Sequence, residues 1–257
     1  MVKIMGFKTL LLVGGYGTRL GGLVSSLPKA MVEIGGLPFL EYLVYQLVRQ
    51  GFCKLIFCIG YLGEKIREYF KDGSRWSVNI QYSEEENLLG TGGAIKKASK
   101  LFAEQNFMVM NGDSIFAIKF QNLIDYHLKK KAVATIALSK VNDVSRFGKV
   151  VVKKDGQISK FSEKGANGQG YINAGIYVLN RSILDYIPDG KECSLEKEVF
   201  PKLIGKGLFG KNFNNAFFVD IGTPESYNAI RKTPHKLLKE LGLSDNILKA
   251  QNIKEYG

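Results

Sequence analysis

The chain reads as an α/β protein, a doubly wound and mainly parallel sheet with a β-rich part in its second half. Three observations predict this. The apolar run Leu10-Leu11-Leu12-Val13 ends abruptly in Gly14-Gly15-Tyr16-Gly17, as a buried strand does where it gives way to a loop. From there to about residue 138, apolar runs of strand length alternate with stretches of helical spacing. After about residue 140, short strands follow one another, separated by turns such as Asp155-Gly156.

Taken in order, Thr9 to Val13 is a buried-type strand. Pro38 to Gln50 carries Leu40, Leu43, Val44 and Leu47 at helical spacing and stops at Gly51. Lys54 to Gly60 is an apolar strand, Leu62 to Phe70 a helix, and Val78 to Tyr82 a short strand. Thr91 to Phe102 reads as a helix, Phe107 to Met110 as a strand, Leu123 to Lys130 as a helix and Ala132 to Leu138 as a strand. Strands over Lys149 to Lys153, Ile158 to Phe161, Tyr171 to Val178 and Ala216 to Val219 follow, then a helix from Pro224 to Arg231. The expected organisation is one domain over 1–257. Its first part runs to about 140, a second, β-rich part covers about 141–232, and a polar terminal helix covers 233–257.

Composition narrows the function. With 45% hydrophobic residues in 257, the chain can bury a sizeable core. No apolar run approaches the roughly 18 residues of a membrane span, and the N-terminus lacks the pattern of a signal peptide. The three cysteines, Cys53, Cys58 and Cys193, form no Cys-x-x-Cys pair, so a reduced cytoplasm is expected. Only His127 and His235 are histidines, which argues against a His-rich zinc site and against His-based proton transfer. The formal charge is +12, but the lysines are scattered, and only Lys129-Lys130-Lys131 forms a run. A solvated basic face that draws in phosphorylated substrates is expected, rather than a nucleic-acid surface.

The glycine-rich loop after the first strand lets backbone N–H groups approach an anion at Gly14, Gly15 and Gly17. Arg19 adds a planar fork and Lys29 a point charge, a pairing suited to a polyphosphate. By itself Gly-Gly-x-Gly is also a tight βα connection. The dinucleotide fingerprint fails because Leu20 stands where its third glycine belongs, and there is no Gly-Lys-Ser/Thr of a P-loop. Gly15-Tyr16-Gly17-Thr18-Arg19-Leu20, followed after a gap by Pro28-Lys29, resembles the sugar-nucleotidyltransferase family. Gly22 and Val24 stand in that gap where the family often has Pro and Thr. The resemblance therefore turns toward the heptose- and mannose-1-phosphate guanylyltransferase-like branch.

The resemblance implies a Rossmann-like fold of the nucleotide-diphospho-sugar transferase type and assigns further residues. Asp113, in Asn111-Gly112-Asp113-Ser114, and Asp220, before Gly222-Thr223-Pro224, match the family's metal-binding pair and would hold Mg²⁺, although either is also an ordinary loop aspartate. Glu84-Glu85-Glu86 with Gly90-Thr91-Gly92-Gly93 looks like the base-recognition segment. There Glu85 would accept from the neighbouring N1–H and N2–H₂ of guanine, a task that Glu84, Glu86 or backbone groups could also perform, and Gly90 would let the backbone approach the base; an acidic loop before a Gly-rich helix start is the other reading. Phe161-Ser162-Glu163-Lys164 and Tyr171 to Gly175 resemble the sugar-phosphate segments. Glu163 would accept from sugar hydroxyls, Lys164 would hold the phosphate, and Asn173 with the backbone at Gly148 and Gly175 would add contacts. An exposed ion pair is the other reading of Glu163-Lys164. Ser194-Leu195-Glu196 joins the same pocket.

Arg19, Lys29 and Asp113 are thus the expected catalytic residues. Expected partners are GTP and a manno-configured heptose 1-phosphate, with no nucleic acid and no membrane. A homodimer is the assembly such enzymes commonly take. The rivals at this point are a mannose-1-phosphate guanylyltransferase, a UTP- or CTP-using relative, a non-catalytic nucleotide-sugar sensor and, as a distant third class, a nucleic-acid-binding module.

Overall fold

A computed structural model describes residues 6–17, 20, 26–162, 165, 167–244 and 247. In chain order its elements are β1 (Lys8–Leu12), the hairpin β2 (Glu33–Ile34) and β3 (Leu37–Pro38), α1 (Phe39–Arg49), β4 (Lys54–Ile59), α2 (Gly63–Phe70) and β5 (Asn79–Glu84). Then come α3 (Gly90–Ala98), β6 (Asn106–Asn111), β7 (Ser114–Phe116), α4 (Phe120–Lys130) and β8 (Ala134–Val141). The second half adds β9 (Val150–Val152), β10 (Ile158–Phe161), β11 (Gly170–Asn180), α5 (Phe200–Lys202), β12 (Leu208–Asn212), β13 (Phe218–Asp220), α6 (Pro224–Arg231) and α7 (Pro234–Leu241).

One nine-stranded sheet runs through the molecule in the order β10-β9-β11-β6-β1-β4-β5, with β8 on β11 and β12 on β8. Strands β6, β1, β4 and β5 are all parallel. The centres of β1, β4 and β6 are apolar because both faces are covered there, whereas the edge strand β5 is largely polar. Successive side chains feed two separate cores. Leu11, Leu55, Phe57, Met108 and Met110 enter one, together with Leu40 and Leu43 of α1, Ile66 of α2 and Leu123 of α4. Leu10, Ile56, Cys58, Phe107 and Val109 enter the other with Ala94, Ile95 and Ala98 of α3. The two-residue period of the strand makes this division automatic, and helices on both faces follow from it, as the alternating pattern predicts.

The sheet changes character at β11, which runs antiparallel to both β6 and β8. Its register with β8 shifts between Asn173 and Tyr177, around Gly175 at φ +74°. Some elements escaped the sequence. The short pieces β2, β3 and β7 are too brief to show a period, and β12, Leu-Phe-Gly-Lys-Asn, carries a glycine in a strand. The expected terminal helix begins as α7, which ends at Gly242, φ +62°. Residues 245–246 and 248–257 of that expectation lie outside the described residues. No helix among the described residues is long and apolar enough to cross a membrane.

Candidate active site

The carboxyl ends of β1, β4, β5 and β6 carry the expected nucleotide loops, where open α/β sheets bind ligands. After β1, Val13 N–H donates to Cys58 O at 3.0 Å and Tyr61 N–H to Gly14 O at 3.2 Å, so the loops after β1 and β4 are joined. A Cβ at Gly14 would lie 2.9 Å from Gly60 N; that glycine serves loop-to-loop approach. Gly15 is open, with nothing within 4 Å of a Cβ built there. Gly17 sits at φ +64°, and a Cβ on it would come 2.8 Å from Cβ of Lys29. The loop thus presses on the stem of Lys29 and sets where its ammonium goes. Thr18 and Arg19, the other expected residues of this loop, lie outside the described residues.

A cleft of about 250 Å³ opens here, lined by Leu12, Gly15, Gly17, Lys29, Gly112 and Asp113. Lys29 and Asp113 meet across it, Nζ to Oδ2 at 2.5 Å, the lysine mostly covered and the aspartate 41% exposed. Asp113 follows β6 and precedes β7, which pairs antiparallel with β13 so that Ser114 faces Asp220. Ile221 N–H donates to Asp113 O at 2.9 Å. The two expected metal carboxylates therefore sit on adjoining backbone segments, 107 residues apart in sequence. Each has a cation. Arg146 Nη2 bridges both oxygens of Asp220 at 3.0 and 3.3 Å, while Gly222 N–H donates to Oδ1 at 2.8 Å. No cluster of three or more His, Cys, Asp or Glu side chains suited to a metal occurs among the described residues.

The segment expected to recognise the base also bonds within the chain. Glu85 is buried, and its Oε2 accepts from Leu89 N–H at 2.8 Å, closing its own loop before α3. Burial raises its pKa above the usual carboxylate range, partly offset by the Leu89 N–H and by Lys97. A Cβ at Gly90, φ +68°, would stand 2.7 Å from Cys193 O, so the close approach that this glycine allows on that side is to another chain segment rather than to a base. Thr91 likewise turns inward, its Oγ1 donating to Glu196 Oε2 at 2.7 Å and accepting from Leu195 N–H at 2.9 Å.

On the sugar side, Gly148 is buried at φ +80° and closes a turn by donating to Val144 O at 2.9 Å. Asn173 Oδ1 accepts from Gly175 N–H, and its Nδ2 donates to Tyr177 Oη, both at 2.9 Å. A Cβ at Gly175 would lie 2.8 Å from Ser114 Oγ and 2.9 Å from Asn111 Nδ2, so the bulge brings β11 against the segment that carries Asp113. Glu163 and Lys164 lie outside the described residues.

A match to the nucleotidyl transferase family model spans residues 8–236. The chain belongs to the nucleotidyl transferase family. It is 37% identical over 226 residues to a D-glycero-alpha-D-manno-heptose 1-phosphate guanylyltransferase of Aneurinibacillus thermoaerophilus, covering 88% of this chain and 97% of that protein. It is 34% identical to a UTP–glucose-1-phosphate uridylyltransferase of Synechocystis, over 91% of this chain and 65% of that protein. Among solved structures, HddC from Yersinia pseudotuberculosis complexed with GMP-PN superposes with a TM-score of 0.78 at 33% identity, over 88% of this chain and 98% of that one. These relatives make the chain a sugar-1-phosphate nucleotidyltransferase.

For a nucleotidyltransferase, two residues that sequence reasoning missed now matter. Arg146 stands two residues before Gly148, but its carboxylate is 74 positions away. Tyr177 looks like one more apolar residue of β11, and only the fold shows its hydroxyl amid polar side chains. His127 plays no part in the cleft. Buried between Thr135 Oγ1 at 2.9 Å and Asn106 Oδ1 at 3.1 Å, it is pushed down by desolvation from 6.5 to about 4. Asn106 Oδ1 can only accept, so the neutral ring carries its proton on Nε2.

Proposed function

We propose that this enzyme transfers GMP from GTP to D-glycero-α-D-manno-heptose 1-phosphate, releasing pyrophosphate and forming a GDP-heptose. The observation that carries the chemistry is the Lys29–Asp113 pair in a glycine-lined cleft. The substrate choice rests on the heptose guanylyltransferase relative, matched over nearly its full length, and on the GMP-PN held by a structural neighbour.

The mechanism follows from charge. A sugar 1-phosphate, with a second pKa of about 6, is mostly a dianion at neutral pH and needs no base to attack. The difficulty is bringing that dianion to the α-phosphorus of an anionic triphosphate. A sugar phosphate oxygen attacks in line, and the bond to the β,γ-pyrophosphate breaks. Lys29, already aimed across the cleft, exchanges Asp113 for phosphate oxygens. Arg19 and Lys164 complete the set of cations in this proposal, which acts by positioning and electrostatic stabilisation. The hard oxygens of Asp113 and Asp220, on adjoining segments, suit Mg²⁺, which takes few protein ligands and keeps water and substrate phosphates. Bound there, the ion would neutralise developing charge on the transferred phosphoryl group. Glu85 remains the proposed reader of guanine: one oxygen holds its loop at Leu89, and the other accepts nothing from the described residues.

The test is pyrophosphate release with Mg²⁺, offering GTP, UTP, CTP, dTTP and ATP against heptose, mannose and glucose 1-phosphates. Release with GTP and the manno-heptose 1-phosphate alone is the expected result. Release with UTP and glucose 1-phosphate, the reading that the uridylyltransferase relative favours, would replace the substrates and keep the reaction. Tight nucleotide binding without release would point to a sensor. In Glu85→Gln the preference for GTP over UTP should narrow; an unchanged preference would remove Glu85 from base reading.

A further inference from the structure

The structure draws one carboxylate outside the cleft into contact with both halves of the site. Glu196 lies in a single π-helical turn, Leu195–Val199, set against the first turn of α3. Such turns are uncommon and often mark functional positions. Its Oε2 accepts from Thr91 Oγ1 at 2.7 Å and from Ser194 Oγ at 3.1 Å. Its Oε1 accepts from Tyr177 Oη at 3.0 Å. Tyr177 Oη in turn accepts from Asn173 Nδ2 at 2.9 Å, and Asn173 Oδ1 holds Gly175 N–H at the bulge. Tyr177 is fully buried.

We propose that Glu196 is a positioning residue that ties the nucleotide loop at Thr91 to the sugar-side strand at Tyr177 and Asn173, so that the two substrates are held in register. The proposal rests on the two-substrate reaction above and adds a residue to it. The arrangement is poorly explained by stability alone. No cation pairs with Glu196 among the described residues; hydroxyl groups satisfy it instead. Glu196 is half-buried, and withdrawing even part of a carboxylate from water without a countercharge is unfavourable. What the arrangement does provide is a continuous path of directed hydrogen bonds between the start of α3, on the nucleotide side, and β11, on the sugar side. The tyrosine can donate only once, and that donor goes to Glu196, so its oxygen is left to accept from the amide of Asn173. The bulge that sets Gly175 beside Asn111 is thereby linked to Thr91.

The experiment compares KM for the nucleotide, KM for the sugar phosphate, kcat and Tm in Thr91→Val, Tyr177→Phe, Glu196→Ala and Glu196→Gln. The wild-type panel fixes the substrate pair first, so a wrong heptose assignment shows there and the variants are measured with whichever pair turns over. The expected result is crossed: Thr91→Val raises the sugar-phosphate KM and Tyr177→Phe raises the nucleotide KM, each about fivefold, the scale of a modest coupling between sites. In Glu196→Ala both KM values rise, and adding either other change does nothing more, while Glu196→Gln, which keeps one of the two acceptor oxygens, restores only part of the loss. If Thr91→Val moves only the nucleotide KM and Tyr177→Phe only the sugar KM, the link is absent. If Glu196→Ala lowers Tm with both KM values unchanged, its role is structural and the proposal fails. Should no pair turn over, calorimetric titration with GTP decides. Weaker GTP binding in Tyr177→Phe supports the link, and unchanged binding overturns it.

Discussion

The two halves of the sheet build their parts of the site by opposite means. In the parallel half, β1, β4, β5 and β6 end together, and the loops that follow touch through backbone, as Gly14 and Gly60 do. In the antiparallel half, a bulge on β11 and a set of side-chain hydrogen bonds from Asn173 through Tyr177 to Glu196 do the same work. The first arrangement depends on the absence of side chains and the second on their presence. Substitutions should therefore act differently in the two halves.

The largest effect is expected at the cleft. Lys29→Met removes the cation proposed to meet the reacting phosphates, and kcat should fall by on the order of 10²–10³ with little change in Tm. A raised KM with kcat unchanged would mean that Lys29 only binds. Next comes His127, far from either substrate. Its folded pKa of about 4 lies below the unfolded 6.5, so the unfolded chain takes up a proton first as pH falls. Its contribution to stability is complete above pH 6.5 and is lost on acidification toward 4. The loss is about 3 kcal/mol, one unit being about 1.4 kcal/mol. Urea titrations at pH 7 and 4.5 should show a larger drop for the wild type than for His127→Gln; equal drops would remove His127 as the cause. The smallest is Gly175→Ala. A methyl at φ +74°, 2.8 Å from Ser114 Oγ, should cost about 1–3 kcal/mol and raise the sugar-phosphate KM more than the nucleotide KM. The reverse order would place the bulge on the nucleotide side.

The same contrast decides what could be read in advance. Strands β1, β4 and β6 were legible because both faces of the sheet are buried there, which leaves contiguous apolar runs, and helix α1 because Leu40, Leu43, Val44 and Leu47 repeat at helical spacing. Asp113 and Lys29 were legible because each ends a short contiguous motif. Arg146 was not, since its partner is 74 positions away and a lone exposed arginine carries no local signal. Nor were β7 and β13 as a pair, each three residues long. Gly90 was recognised as a point of close approach, but the neighbour that fills it, Cys193, is visible only in the folded chain.

The division of β1 between two cores also constrains where the chain can change length. Leu10 and Leu11 belong to opposite cores, and Gly14 must arrive opposite Gly60. One residue added to or deleted from β1 would exchange the two leucines between faces and move Gly14 out of its contact. An extra residue in the exposed turn at 153–155 disturbs neither. Over evolutionary time, relatives of this chain should vary in length at such turns while keeping the stretch from Thr9 to Gly17 at constant length.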